Sequence, residues 1–179
     1  VPTKNEVSEN NQAIFDTLEK QIGFVPNLYA TIAKSDNALA TFLEFGKAQG
    51  KSSLSAKERE AVSLIVSQVN SCRYCQSAHT AISKMNGFTD EQILEIRKGT
   101  SGDAKLNTLV KLAQEIAETN GNIGSENLDA FFAAGYDQGS LVDAVLAVVE
   151  ITFTNYVHNI TQVPIDFPIA EDLSKEATA

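Results

Sequence analysis

Residues 60–79 read EAVSLIVSQVNSCRYCQSAH and contain both cysteines of the chain. Apolar residues recur at helical spacing up to Val69, and the pattern resumes after a short break. Upstream, Ser55 and Glu58 have the spacing of a capping box, in which a helix start satisfies its own free amides. The sequence therefore predicts two antiparallel helices joined by a turn near Asn70 to Cys72.

Sequence signals for the starts and ends of helices recur along all 179 residues. Glycines mark helix ends, and no proline occurs between Asn27 and Val163, which suits uninterrupted helices. Asn27 and Asp36 are predicted N-caps, since their side chains can accept from free backbone amides. We expect one all-α domain over residues 1–179, a bundle of about eight to nine helices, with an extended tail after residue 163.

The amino-acid composition argues against some classes of function. The net charge is −9, from 23 acidic and 14 basic residues, so a phosphate backbone would be repelled and nucleic acid is not an expected partner. We read the apolar stretch Leu141 to Val157 as a buried helix, because it is short for a bilayer span and carries polar residues. With no targeting segment recognised, we expect no membrane association and a cytoplasmic location.

The chemistry-bearing residues are Cys72, Cys75 and His79. Cys75 and His79 are four residues apart, which on a helix places their Cβ atoms roughly 5–6 Å apart on one face. Cys72 falls at the helix start, where the helix dipole favours a thiolate, and we expect its thiol to be accessible. Two thiols at this spacing can cycle between dithiol and disulfide. The sequence thus predicts a redox core at about 54–99.

Glu60 adds a carboxylate to this set. It lies about as far before the predicted turn as His79 lies after it, so at about 1.5 Å per residue the two share a height in the helix pair. A carboxylate there can hold the His79 tautomer or pass a proton to it.

Each of these residues could also have a purely structural role. A lone histidine, cysteine or glutamate is often an ordinary core or surface residue. The two cysteines and His79 could also bind zinc, but a structural zinc site needs a fourth ligand. The other histidine, His158, is distant in sequence and is expected to flank the last helix. We expect neither a metal nor another cofactor.

Together, Glu60, the motif Cys72-Arg73-Tyr74-Cys75 and His79 resemble the signature of the alkylhydroperoxidase D-like proteins of the carboxymuconolactone decarboxylase superfamily. Residues 23–27 and 163–168 resemble its peroxidase-related branch. The resemblance implies an all-helical fold and a peroxidase in which Cys75 meets a hydroperoxide and becomes a sulfenic acid. Cys72 would then resolve it to a disulfide, and His79 with Glu60 would relay protons.

The resemblance also implies partners: a hydroperoxide substrate, a thiol or dithiol reductant, and further copies of the chain in a trimer or hexamer. Well-known peroxidases of the family carry a second histidine between the cysteines, where this chain has Arg73 and Tyr74. Arg73 could favour a thiolate electrostatically, but the proton relay would be shorter.

The sequence leaves two further function classes open. One is a carboxymuconolactone-decarboxylase-type enzyme, although that branch generally lacks the cysteine pair. The second is a non-enzymatic, redox-responsive assembly protein. The sequence does not identify the peroxide, the reductant, the pathway or the number of subunits.

Overall fold

The computed structural model describes residues 1–173, and within them the chain forms nine α-helices and no β-strand. A 3₁₀ turn at Lys4–Glu6 precedes the first helix. The helices are α1 (Glu9–Ile22), α2 (Asn27–Ile32), α3 (Ala38–Gln49), α4 (Ala56–Val69), α5 (Arg73–Met85), α6 (Asp90–Arg97), α7 (Ala104–Thr119), α8 (Ser125–Ala133) and α9 (Gln138–Thr161). The prediction of an all-α bundle of eight to nine helices is confirmed.

Local capping explains several helix starts. Ser55 and Glu58 form the predicted capping box at α4, and Thr89 with Gln92 forms another at α6. The predicted caps at Asn27 and Asp36 are wrong. Asn27 is the first residue of α2, after Pro26, and α3 has Asn37 at its N-cap position.

The reason for the first of these errors is a tertiary cap. The backbone N–H of Asn27 donates to Asp166 Oδ2 at 2.7 Å, and the N–H of Leu28 donates to the Tyr74 hydroxyl at 3.3 Å. Asp166 lies 139 residues further along the chain, so a remote carboxylate and the Tyr74 hydroxyl accept from the first two amides of α2, and Asn27 lies within the helix rather than at its cap.

Helix α4 lies at the centre of the bundle and packs against α5, α6, α7 and α9. Its middle turns are fully enclosed, with exposures of at most 2% at Ala61, Val62, Leu64, Ile65 and Val66. A helix that is apolar on nearly all sides is stable only when neighbours cover it. The helices around α4 therefore hold the α4–α5 pair in place.

The described part of the segment after residue 163 is extended and crosses α5 and α6. Arg73 Nη2 donates to the Ala170 carbonyl at 2.6 Å, and Arg97 Nη2 donates to the Glu171 carbonyl at 2.8 Å. The N–H of Ala170 donates to Ser77 Oγ at 3.1 Å. The polar end predicted for the tail, residues 174–179, lies outside the described residues.

Helix α9 is the one helix within residues 1–173 that is long and apolar enough, by length and composition alone, to cross a membrane. Core helices of globular proteins pass the same test. Here α9 packs against α2, α3, α4, α5 and α7, and its inner face is buried from Ser140 to His158. The prediction of a core helix holds for this face, whereas the opposite face is exposed.

Candidate active site

The turn between α4 and α5 positions Cys72. Ser71 has a φ of 54°, and the N–H of Cys72 donates to the Ser67 carbonyl at 3.0 Å while that of Ser71 donates to Gln68 at 3.1 Å. These two bonds form a Schellman motif that closes α4. Cys72 is also the N-cap of α5, so the ends of two helices fix its position.

The two thiols lie side by side in the core. Cys72 Sγ and Cys75 Sγ are 2.7 Å apart, and both cysteines are free. Cys72 has an exposure of 0% and Cys75 of 2%. The expectation that Cys72 would be accessible is wrong, because α9 and the Schellman turn enclose the helix start.

The pair favours a thiolate on Cys72. The hydrogen bond between the two thiols lowers the pKa of Cys72 against the opposing effect of burial, and the Cys75 backbone N–H and the positive charge of His79 act in the same direction as the hydrogen bond. The pKa of Cys75 is raised, first because its proton is held by Cys72 and then because the thiol is buried. The first proton lost from the pair is therefore that of Cys72, at the helix N-terminus.

His79 and Glu60 meet as the sequence predicts. His79 Nδ1 lies 2.9 Å from Glu60 Oε2, and both side chains are largely buried. Because a carboxylate only accepts, Nδ1 carries the proton, and Nε2 is left for other partners. Burial opposes charging of the imidazole, but the charge and hydrogen bond of Glu60 outweigh it and raise the pKa of His79.

An apolar cavity of about 650 Å³ opens beside Cys75 and His79. Aromatic and aliphatic side chains from four parts of the chain surround it, including Phe24, Leu28, Tyr29, Leu43, Tyr74 and Phe167. Cys75 lines this cavity and Cys72 does not. The arrangement can hold an apolar molecule against one thiol, with the second thiol and the imidazole close by.

Sequence reasoning missed two site residues on α9. Thr154 Oγ1 lies 3.9 Å from Cys75 Sγ, and the amide of Asn155 lowers the pKa of both cysteines by hydrogen bonding. Asn155 is fully buried and donates to Ser67 Oγ at 3.2 Å. Adjacent polar residues inside the apolar stretch Leu141 to Val157 were the available signal.

Arg73 and His158 make their contacts with groups other than the cysteine thiols. The Arg73 guanidinium donates to Gln76 and to carbonyls of residues 170 and 171, so the expected support of a thiolate by Arg73 finds no contact here. His158 is buried in the last turn of α9, with its ring 5.4 Å from that of Tyr74. Within residues 1–173, no group of three or more His, Cys, Asp or Glu side chains is arranged to hold a metal ion.

Comparisons with known proteins give a family match for part of the chain. Residues 36–118 match the model of the carboxymuconolactone decarboxylase family, and this range contains all four predicted site residues. A search of curated proteins gave no match.

Solved structures share the fold. An uncharacterized peroxidase-related protein from Ralstonia eutropha JMP134 has a TM-score of 0.84 at 18% identity, covering 93% of this chain and 90% of its own. A peroxidase-related protein from Silicibacter sp. TM1040 has a TM-score of 0.79 at 21% identity, covering 88% and 85%. A cysteine-to-alanine variant of the debrominase Bmp8, in complex with 2,3,4-tribromopyrrole, has a TM-score of 0.77 at 15% identity, covering 99% and 92%.

The family match covers the helices that carry Glu60, the cysteine pair and His79, and the fold continues beyond it over the whole described chain. Residues 36–118 are thus similar to the carboxymuconolactone decarboxylase family, and the chain shares its fold with structures described as peroxidase-related.

Proposed function

We propose that the protein is a thiol-dependent peroxidase that reduces organic hydroperoxides through a dithiol–disulfide cycle of Cys75 and Cys72. The observation that carries the proposal is the pair of free thiols 2.7 Å apart, one of which lines a large apolar cavity beside His79. The family match over residues 36–118 supports an enzymatic role, and two fold neighbours are described as peroxidase-related.

Cys75 is the sulfur proposed to meet the substrate, because it lines the cavity. Its thiol is the proton donor of the pair, so its proton passes to Cys72 as it attacks. The Cys75 sulfur bonds to the terminal peroxide oxygen while the O–O bond breaks. The alkoxide takes a proton from the His79 imidazolium and leaves as an alcohol, and Cys75 becomes a sulfenic acid.

Cys72 then resolves this intermediate. Its sulfur attacks the Cys75 sulfur, the S–S bond forms, the S–O bond breaks, and the hydroxide leaves as water with the Cys72 proton. In sum, a hydroperoxide and two thiols give an alcohol, water and a disulfide. An external thiol or dithiol must then reduce the disulfide, which fits a reducing compartment such as the cytoplasm.

The test is a single turnover. The reduced protein receives one equivalent of cumene hydroperoxide, and free thiols and cumyl alcohol are counted over time. We expect two thiols to be lost for each alcohol formed, and no alcohol from Cys75→Ser. A Cys75→Ser protein that forms alcohol at the parent rate would overturn the proposal. Glu44→Gln, an exposed change on α3, is the control.

Reductive dehalogenation is the second candidate, favoured by the aromatic lining of the cavity and by the bromopyrrole complex of a fold neighbour. The Cys75 sulfur would take the halogen, His79 would protonate the aryl carbon, and Cys72 would displace halide to form the disulfide. The same assay with 2,3,4-tribromopyrrole discriminates the two, because bromide release with thiol loss occurs only in this reaction.

A decarboxylase and a non-enzymatic redox protein have less support. Decarboxylation of a cyclic acid needs a site for the anion, and among the described residues no Lys or Arg lines the apolar cavity. A non-enzymatic redox-responsive role would leave the cavity beside Cys75 without a purpose. We also propose a homo-oligomer, a trimer or hexamer, for which the exposed apolar face of α9 is the structural support.

A further inference from the structure

A second cavity, of about 230 Å³, lies on the other side of His79. Its lining is polar and charged, with Gln49 from α3, Arg59, Glu60 and Ser63 from α4, and Glu150 from α9. His79 and Thr154 line both this polar cavity and the apolar cavity that holds Cys75. His79 therefore stands between the proposed substrate cavity and a polar chamber.

Gln49 indicates what fills the chamber. It has an exposure of 3%, and its amide is near enough to the Glu150 carboxylate to favour the charged form, although neither amide atom reaches hydrogen-bond geometry within the described residues. A buried amide requires partners, and this one lines a polar cavity. Since a water molecule occupies about 30 Å³ in the liquid, the chamber can hold several waters that satisfy Gln49 and bridge its neighbours.

Helix α3 leaves space in this chamber for the Glu150 side chain. A Cβ atom added at Gly46 would lie 2.8 Å from Glu150 Oε1, so the absent side chain leaves room for the carboxylate. Glycine within a helix is otherwise unfavourable. Burial raises the pKa of Glu150, with partial opposition from His79, Arg59 and Gln49.

This inference rests on the proposed thiol chemistry, in which each turnover requires a group that helps to return a proton to His79. His79 gives one proton to the leaving alkoxide in each cycle. The external donor attacks the disulfide as a thiolate, so the proton that recharges His79 comes from water rather than from the donor. The apolar cavity has few groups that could carry it, whereas the chamber on the opposite side is polar.

We propose that Glu150 is a positioning residue that, with Gln49, holds water in the polar chamber for the return of a proton to Nε2 of His79 after each turnover, while Glu60 keeps Nδ1 protonated. Glu150 touches neither substrate nor sulfur in this role. The titratable and charged groups around the chamber are Tyr29 from α2, Arg59 and Glu60 from α4, His79 from α5 and Glu150 itself from α9.

The kinetic test uses Glu150→Gln, with Glu44→Gln, an exposed change on α3, as the matched control. We expect kcat to fall about tenfold in Glu150→Gln, with KM for the hydroperoxide unchanged. The first oxidation after full reduction, measured at a pH low enough for His79 to be charged in both proteins, should keep its rate, because it uses the proton already on His79. Gly46→Ala, which keeps the charge but displaces the carboxylate, should lower kcat in the same way, and Glu150→Asp should restore part of it.

A kcat of Glu150→Gln within twofold of the parent would overturn the inference. So would an equal slowing of the first oxidation, which would indicate a structural defect. If the parent protein oxidises neither thiol with any substrate, the proposed function fails. NMR titration of the His79 ring then tests separately whether Glu150 is coupled to His79. The chain has two histidines, so the resonance is assigned with His158→Asn. A lower pKa of His79 in Glu150→Gln supports the coupling, and an unchanged pKa contradicts it.

Discussion

At the scale of single residues, two hydrogen-bonded pairs determine the proposed chemistry. The cysteine pair favours a thiolate on Cys72 and a thiol on Cys75, and the Glu60–His79 pair favours the charged imidazole. The first pair supplies the electrons of the proposed reaction and the second supplies the proton for the leaving group. Each pair consists of one residue that reacts and one that adjusts its protonation.

The Glu60–His79 pair predicts a pH dependence. Because Glu60 raises the pKa of His79, Glu60→Gln should lower it and move the basic limb of the pH–rate profile to lower pH. The pair should also stabilise the fold by about 1 kcal/mol at pH values below the unfolded histidine pKa of about 6.5, an advantage lost as pH rises through the raised pKa.

Both effects are measurable. Hydroperoxide turnover and urea unfolding are followed from pH 5 to pH 9 for the parent and Glu60→Gln, with Glu126→Gln on the exposed side of α8 as the control. A basic limb that stays in place after the substitution would contradict the assigned role of the pair.

At the scale of elements, the turn between α4 and α5 is the device that places Cys72. Ser71 occupies the left-handed region, which L-residues with a branched Cβ adopt least readily. Ser71→Val should lower the free energy of unfolding by about 1–2 kcal/mol and slow disulfide formation, because the Schellman bond to Ser67 holds Cys72 in place.

Ser71→Gly is the matched comparison, since glycine adopts this conformation without strain. Urea unfolding and single-turnover thiol loss test both variants. Equal stability of the valine and glycine variants would show that the turn conformation does not position the pair.

The elements also show how far sequence reasoning reaches. Glu60, Cys72, Cys75 and His79 were predictable because they lie on two consecutive helices, whose pairing follows from one short turn. Asn155 and Asp166 were not, because they approach the site from more than 80 residues away. Long-range contacts of this kind leave no spacing in the sequence, and only the tertiary fold brings them to Cys72 and Tyr74.

At the scale of the whole molecule, the outer face of α9 is the most unusual surface. We call it the α9 stripe, and its exposed side chains are Val142, Val145, Leu146, Val149, Phe153, Tyr156 and Ile160. Their spacing of three and four residues matches a helix–helix contact. No charged residue belongs to the stripe, so two copies of a chain with net charge −9 can approach there without repulsion.

The α9 stripe predicts the effect of Val149→Glu. A carboxylate in the centre of an apolar contact should dissociate the proposed oligomer and leave the monomer fold intact. Light scattering coupled to size exclusion measures the mass, and circular dichroism checks the helix content. A parent protein that is already monomeric at micromolar concentration would contradict the assembly proposal.

The most direct test of the proposed peroxidase is to trap the product of the first step. Cys72→Ser removes the resolving thiol, so a sulfenic acid should persist on Cys75 after one equivalent of cumene hydroperoxide. A dimedone trap followed by peptide mass spectrometry should find the adduct on Cys75, together with one equivalent of cumyl alcohol. Alcohol formation without an adduct, or no reaction at all in both this variant and the parent, would contradict a peroxidase in which Cys75 takes the oxygen.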